Sequence, residues 1–109
     1  MENKKQVLIV KPESTRIDAA FALQLKNQIL DSYQSGANTI VLDLSEVDFI
    51  DSSGLGALVA SRKTMGKDGE IALCEVKDRV QSLFTVTRMN KVFRIFNTKE
   101  DAVNTLQNV

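Results

Sequence analysis

Thr39-Ile40-Val41-Leu42-Asp43-Leu44 is a near-continuous apolar run rich in β-branched side chains. A strand with one wet face alternates apolar and polar residues. A run like this one suits a strand covered on both faces, as in a parallel sheet flanked by helices. The segments around it agree. Val7-Leu8-Ile9-Val10 reads as a first strand, ended by Lys11-Pro12. Arg16-Ile17 is a short extended piece in a polar connection. Ala19 to Ser35 reads as a helix, with Ala22, Leu25, Ile29 and Tyr33 at helical spacing and Leu23 and Leu30 widening the stripe. Gly36 stands where a C-terminal glycine belongs. Phe49-Ile50 closes the stretch after the central run. A second helix is expected from about Ser53 to Met65 or Lys67, with Leu55, Leu58, Val59 and Arg62 on one side and Gly66 and Gly69 ending it. Ile71-Ala72-Leu73-Cys74 reads as a strand. Asp78 is expected to cap a third helix running through Met89, and Phe93 to Phe96 to form a last strand. Asn97 or Thr98 then caps a final helix, as Asp18 caps the first.

Strand and helix thus alternate four times. Short connections make this an α/β fold: a mostly parallel four- to five-stranded sheet with about four helices and right-handed crossovers. In such a fold the strand C-termini and helix N-termini gather at one end, where ligands and partners usually bind. Asp18, Asp48, Asp51, Ser52, Ser53, Asp78 and Asn97 all map to that end.

Composition narrows the chemistry. The 109 residues suit one domain, taken as residues 1–109. Lys plus Arg equals Asp plus Glu at 14 each, so no bulk charge draws the chain to nucleic acid or an anionic membrane. There is no histidine, which removes the commonest general base and a common metal ligand. The single cysteine, Cys74, sits in an apolar strand and reads as an inert core thiol. No signal-peptide core and no run of membrane-spanning length is visible, so the chain reads as a soluble cytoplasmic protein. No cofactor is expected.

One stretch stands out: Asp51-Ser52-Ser53-Gly54-Leu55-Gly56-Ala57-Leu58. It places two hydroxyls where a strand hands over to a helix. A helix N-terminus has unpaired N–H groups and a partial positive charge. A serine there either caps the helix or carries a phosphate that the helix end stabilises. Gly54 and Gly56 each cost up to about 1 kcal/mol relative to alanine in a helix. They either leave the serine open to a partner or allow close packing against the preceding strand. The stretch is not a nucleotide-binding loop, since it lacks Gly-Lys-Ser/Thr and Lys63 lies too far along the helix.

Residues Ile40 to Leu58, with Asp51-Ser52-Ser53-Gly54-Leu55-Gly56 at their centre, resemble the signature of STAS domains, and more narrowly that of stand-alone bacterial anti-sigma-factor antagonists. Arg16-Ile17-Asp18-Ala19, Asp78-Arg79-Val80 and Val92 to Phe96 fall where the family has comparable segments. Arg88-Met89-Asn90 departs from it, because many members carry Gly-Leu there. The resemblance implies a STAS-type fold and a protein-binding module, not an enzyme. It implies phosphorylation at Ser52, the hydroxyl directly after the aspartate, with Ser53 left to cap. It implies two partners: an anti-sigma factor with serine kinase activity, and a metal-dependent serine phosphatase that reverses the modification. The expected contact surface includes Ser14, Thr15, Asp18, Asp48, Asp51, Ser52, Ser53 and Gly54, with Ala57, Ser61 and Arg62 on the second helix.

Other readings compete. A receiver domain phosphorylated on Asp43 needs an acidic pair after the first strand to hold magnesium, and Lys11-Pro12-Glu13 stands there instead. Asp43 is better read as hydrogen-bonded near its strand end. Asp43, Asp48 and Asp51 lie close enough in sequence to suggest a metal, but capping and turn formation account for them more simply. STAS domains also serve in transport and stress-sensing complexes, so a subunit or scaffold role is the alternative within the same fold.

Overall fold

The computed structural model describes residues 6–107. In chain order the elements are β1 (Val7–Val10), β2 (Arg16–Ile17), α1 (Ala19–Gln34), β3 (Thr39–Asp43), β4 (Phe49–Ile50), α2 (Ser52–Thr64), β5 (Glu70–Cys74), α3 (Asp78–Val86), β6 (Arg94–Phe96) and α4 (Lys99–Gln107), with a 3₁₀ turn at Met89–Lys91. The main sheet has four strands in the order β1-β3-β5-β6, every pair parallel.

The central run is apolar on both faces because both are covered. Ile40, Leu42, Ile71 and Leu73 pack against Leu25 and Ile29 of α1, Leu58 of α2, Met65 just past its end, and Val80 and Phe84 of α3. Val41, Ala72 and Cys74 point the other way, onto Ala102 and Leu106 of α4. Phe93 lies just before β6 rather than in it, yet is fully buried, with its ring edge-on to Phe84 at 6.4 Å. Leu23, expected in the buried stripe of α1, is 68% exposed.

Arg16-Ile17 and Phe49-Ile50 do not extend the main sheet. They pair with each other in a separate parallel two-stranded sheet, in the register Arg16↔Phe49 and Ile17↔Ile50. The third helix stops short of the expected Met89. Its end is closed by Arg88, which takes the left-handed conformation at φ 64°, ψ 17° and donates its N–H to Thr85 O at 3.1 Å. A left-handed residue just past a helix is a standard stop, usually met by glycine. At this departure from Gly-Leu, Arg88 therefore takes the conformation that a glycine would otherwise supply. Gly66 (φ +77°) closes α2 as expected, whereas Gly69 serves packing: a Cβ there would lie 2.4 Å from Met65 Cβ.

The caps differ in detail from expectation. Asp78 is the first helical residue of α3, and Lys77 in the cap position makes no side-chain capping bond. At α4 the cap is Thr98, whose Oγ1 accepts the Asp101 N–H at 3.0 Å, while Glu75 Oε2 accepts the Lys99 N–H at 2.8 Å.

Candidate functional site

The small β2–β4 sheet builds the site. One step beyond the Ile17↔Ile50 pair, the two strands deliver Asp18 and Asp51 side by side to the starts of α1 and α2. Backbone bonds fasten them: Asp48 N–H to Thr15 O at 2.7 Å, and Asp51 N–H to Ile17 O at 3.2 Å. Each aspartate caps its helix. Asp18 Oδ1 accepts the Phe21 N–H at 3.3 Å, and Asp51 Oδ1 accepts the Gly54 N–H at 2.9 Å.

The cap of α2 is therefore Asp51, and Ser53, expected to cap, is a helical residue. Ser52 is the first residue of the helix. Both serines are exposed, and neither hydroxyl makes a hydrogen bond among the described residues. Asp51 also accepts the Leu55 N–H through its carbonyl at 2.9 Å. The N–H groups of Ser52 and Ser53 precede these bonds and have no intrahelical partner. A free hydroxyl thus sits beside two free amide donors at the positive end of a 13-residue helix.

Gly54 is resolved in favour of packing. It is buried, and a Cβ on it would lie 2.3 Å from Ile17 O and 2.7 Å from Ile17 Cγ2. It lets α2 lie against β2 and offers no side of its own to a partner. Ser61, expected on the exposed side, is fully buried and donates to Ala57 O at 2.8 Å. Arg62 folds down to donate to Gly66 O at 2.8 Å, at the far end of the helix. Ala57 is half-buried beside the site. Ser14 is engaged with Arg16, whose N–H it accepts at 3.1 Å, whereas Thr15 is exposed.

Two further carboxylates, Asp48 and Asp43, have partners. Asp48 pairs with Lys77 at 2.5 Å, which ties β4 to the start of α3, and the lysine holds the Asp48 carboxyl below its ordinary value. Asp43, almost fully buried, accepts the Ser45 N–H at 3.0 Å and lies 3.9 Å from Lys99 Nζ. Among the described residues no group of three His, Cys, Asp or Glu is placed to hold a metal ion. Arg16 covers the half-exposed Phe49 ring, 4.4 Å from its centre.

One feature of the site is not legible from spacing. A shallow groove of about 420 Å³ runs along α2 from Ser52, lined by Leu55, Gly56, Val59, Ala60, Lys63 and, from across the 3₁₀ turn, Met89. Met89, expected only as the last residue of the third helix, is one of the groove's walls. The one available signal was Gly56, a glycine on an exposed helical face.

The STAS domain model matches residues 1–102. The chain belongs to the STAS domain family. It is 32% identical over 109 residues to the anti-sigma F factor antagonist of Paenibacillus polymyxa, covering 98% of this chain and 92% of that one. It is 33% identical over 85 residues to the anti-sigma-B factor antagonist of Listeria monocytogenes, covering 76% of this chain and 74% of that one. The crystal structure of an anti-sigma factor antagonist from Mycobacterium paratuberculosis superposes with a TM-score of 0.82 at 27% identity, covering 96% of this STAS chain and 89% of the other. No helix among the described residues is long and apolar enough to cross a membrane.

Proposed function

We propose that this STAS domain is an anti-sigma-factor antagonist of the cytoplasm, switched by phosphorylation of Ser52. Unmodified, it binds an anti-sigma factor that carries serine kinase activity and so relieves inhibition of that factor's target. Phosphorylated, it is released, and a metal-dependent serine phosphatase restores it. ATP and metal belong to those partners. The observation that carries this reading is the unengaged Ser52 hydroxyl: Asp51 has taken the cap, so Ser52 has no structural duty on its helix.

The physical logic is local. A phosphoryl group adds about −1.5 to −2 charges at neutral pH. The helix end offsets part of this, by about 0.3–2 kcal/mol, and Asp51 opposes it by repulsion. These effects are small and confined to the first turn of α2, so the domain keeps its shape. The interface does not tolerate the change. A surface matched to a neutral hydroxyl must now bury or repel a dianion, and such like-charge contacts cost several kcal/mol. Each 1.4 kcal/mol is about tenfold in affinity.

The test is size-exclusion chromatography of the domain with its purified kinase partner, before and after exhaustive phosphorylation with ATP and magnesium. The wild type co-elutes before and separates after, whereas Ser52→Ala stays bound throughout. A phosphorylated domain that still co-elutes overturns the switch. Amide NMR shifts spread through the core, rather than confined to residues 48–58, contradict the local mechanism.

A further inference from the structure

Glycine is the weakest ordinary helix former, so a glycine inside a helix asks for a reason. At Gly54 the reason is internal, the contact with Ile17. At Gly56 no internal reason exists. Its φ is not positive, so the backbone does not require glycine. Among the described residues a Cβ built on it meets nothing within 4 Å, so packing against them does not require it either. It is exposed, on the apolar groove that starts at Ser52. Local rules broken without internal compensation mark functional positions.

The groove also has a polarity. Ser52, Gly56, Ala60 and Lys63 follow one another along α2 at steps of four, four and three residues, a straight lane about 16 Å long at 1.5 Å per residue. Leu55, Val59 and Met89 make its walls apolar. Its only charged lining residue is Lys63, which forms no ion pair among the described residues. The end of the groove away from Ser52 is therefore cationic, and its natural complement is a carboxylate.

We propose that Gly56 is the point of closest approach between α2 and the partner protein. The partner segment in the groove lays its backbone or a small side chain over Gly56 and directs a carboxylate to Lys63. This rests on the preceding reading that an anti-sigma factor binds beside Ser52. It adds that the glycine is kept at the expense of helix stability because a β-carbon would stand between the two backbones.

The experiment is isothermal titration of wild type, Gly56→Ala, Lys63→Glu and the off-site control Asn27→Ala with the purified anti-sigma factor kinase, beside their thermal melts. Gly56→Ala is expected to melt higher than wild type and to bind at least fivefold more weakly, a combination that misfolding does not produce. Lys63→Glu is expected to bind at least fivefold more weakly and to lose much of the salt dependence. Asn27→Ala is unchanged. Gly56→Ala binding within fivefold of wild type overturns the close approach, and Lys63→Glu binding within fivefold overturns the carboxylate contact. If the wild type itself does not bind, the preceding reading falls and this one with it.

Discussion

Two glycines two residues apart in α2 give opposite responses to the same substitution. Alanine at either position removes a helix penalty of up to about 1 kcal/mol. At Gly56 the new methyl meets nothing within 4 Å, so the gain is kept and Gly56→Ala is stabilised by up to about 1 kcal/mol. At Gly54 the methyl would lie 2.3 Å from Ile17 O, against the 3.4 Å of ordinary contact. The obstacle is backbone, so no side-chain rotation relieves it. Ile17 is fully buried and its strand is pinned by the Asp51 N–H bond. Helix and strand must therefore separate by about 1 Å. Overpacking onto rigid backbone, at the upper end of about 1–3 kcal/mol, outweighs the helix gain, so Gly54→Ala is destabilised by up to about 2 kcal/mol net. For a domain of this size each kcal/mol shifts the melting midpoint by about 4–8 °C. Urea and thermal denaturation of the two variants reads the difference directly. Gly54→Ala as stable as wild type would refute the packing of α2 against β2.

Other perturbations test other parts of the fold. Arg88→Gly, at φ 64°, removes the left-handed strain of an L residue and is expected to stabilise the domain by about 1 kcal/mol in the same denaturation assay. Burial, with Asp43 and Glu75 nearby, pushes the Cys74 thiol up to about 11. Native protein should therefore resist iodoacetamide at pH 8 while urea-unfolded protein reacts. Because this thiol's folded value lies above its unfolded one, its contribution to stability is complete below about 8.5 and is lost as pH rises toward the folded value. The Asp48 carboxyl is held low by Lys77, so an NMR titration should place it below a free aspartate, and Lys77→Ala should return it upward. The Asp48 contribution is present above the ordinary carboxylate value and fades as pH falls through the lowered one.

Much of this architecture is legible in sequence because burial imposes period. Thr39 to Leu44 reads as a two-faced strand because α1–α3 and α4 take opposite faces of it, and α1 shows Leu25 and Ile29 at helical spacing. What escapes is set by contacts without period. Two-residue strands such as Arg16-Ile17 are too short to alternate, so their pairing with Phe49-Ile50 is invisible until the fold is assembled. The choice of Asp51 over Ser53 as cap is a two-residue shift in a helix start, finer than periodicity resolves. Arg88 ends α3 in a glycine-like conformation without being glycine, so the sequence carries no stop signal there. Met89 becomes a groove wall only because the 3₁₀ turn brings it beside α2.

The central claim is that Ser52 is a phosphorylation switch. Its most direct test is the intact mass of the protein recovered from its own cells, with and without phosphatase treatment, followed by mapping of the modified peptide. The account predicts one phosphoryl group, on Ser52, removed by phosphatase and absent from Ser52→Ala. An unmodified mass under every growth condition, or a phosphoryl group on another residue, would contradict it.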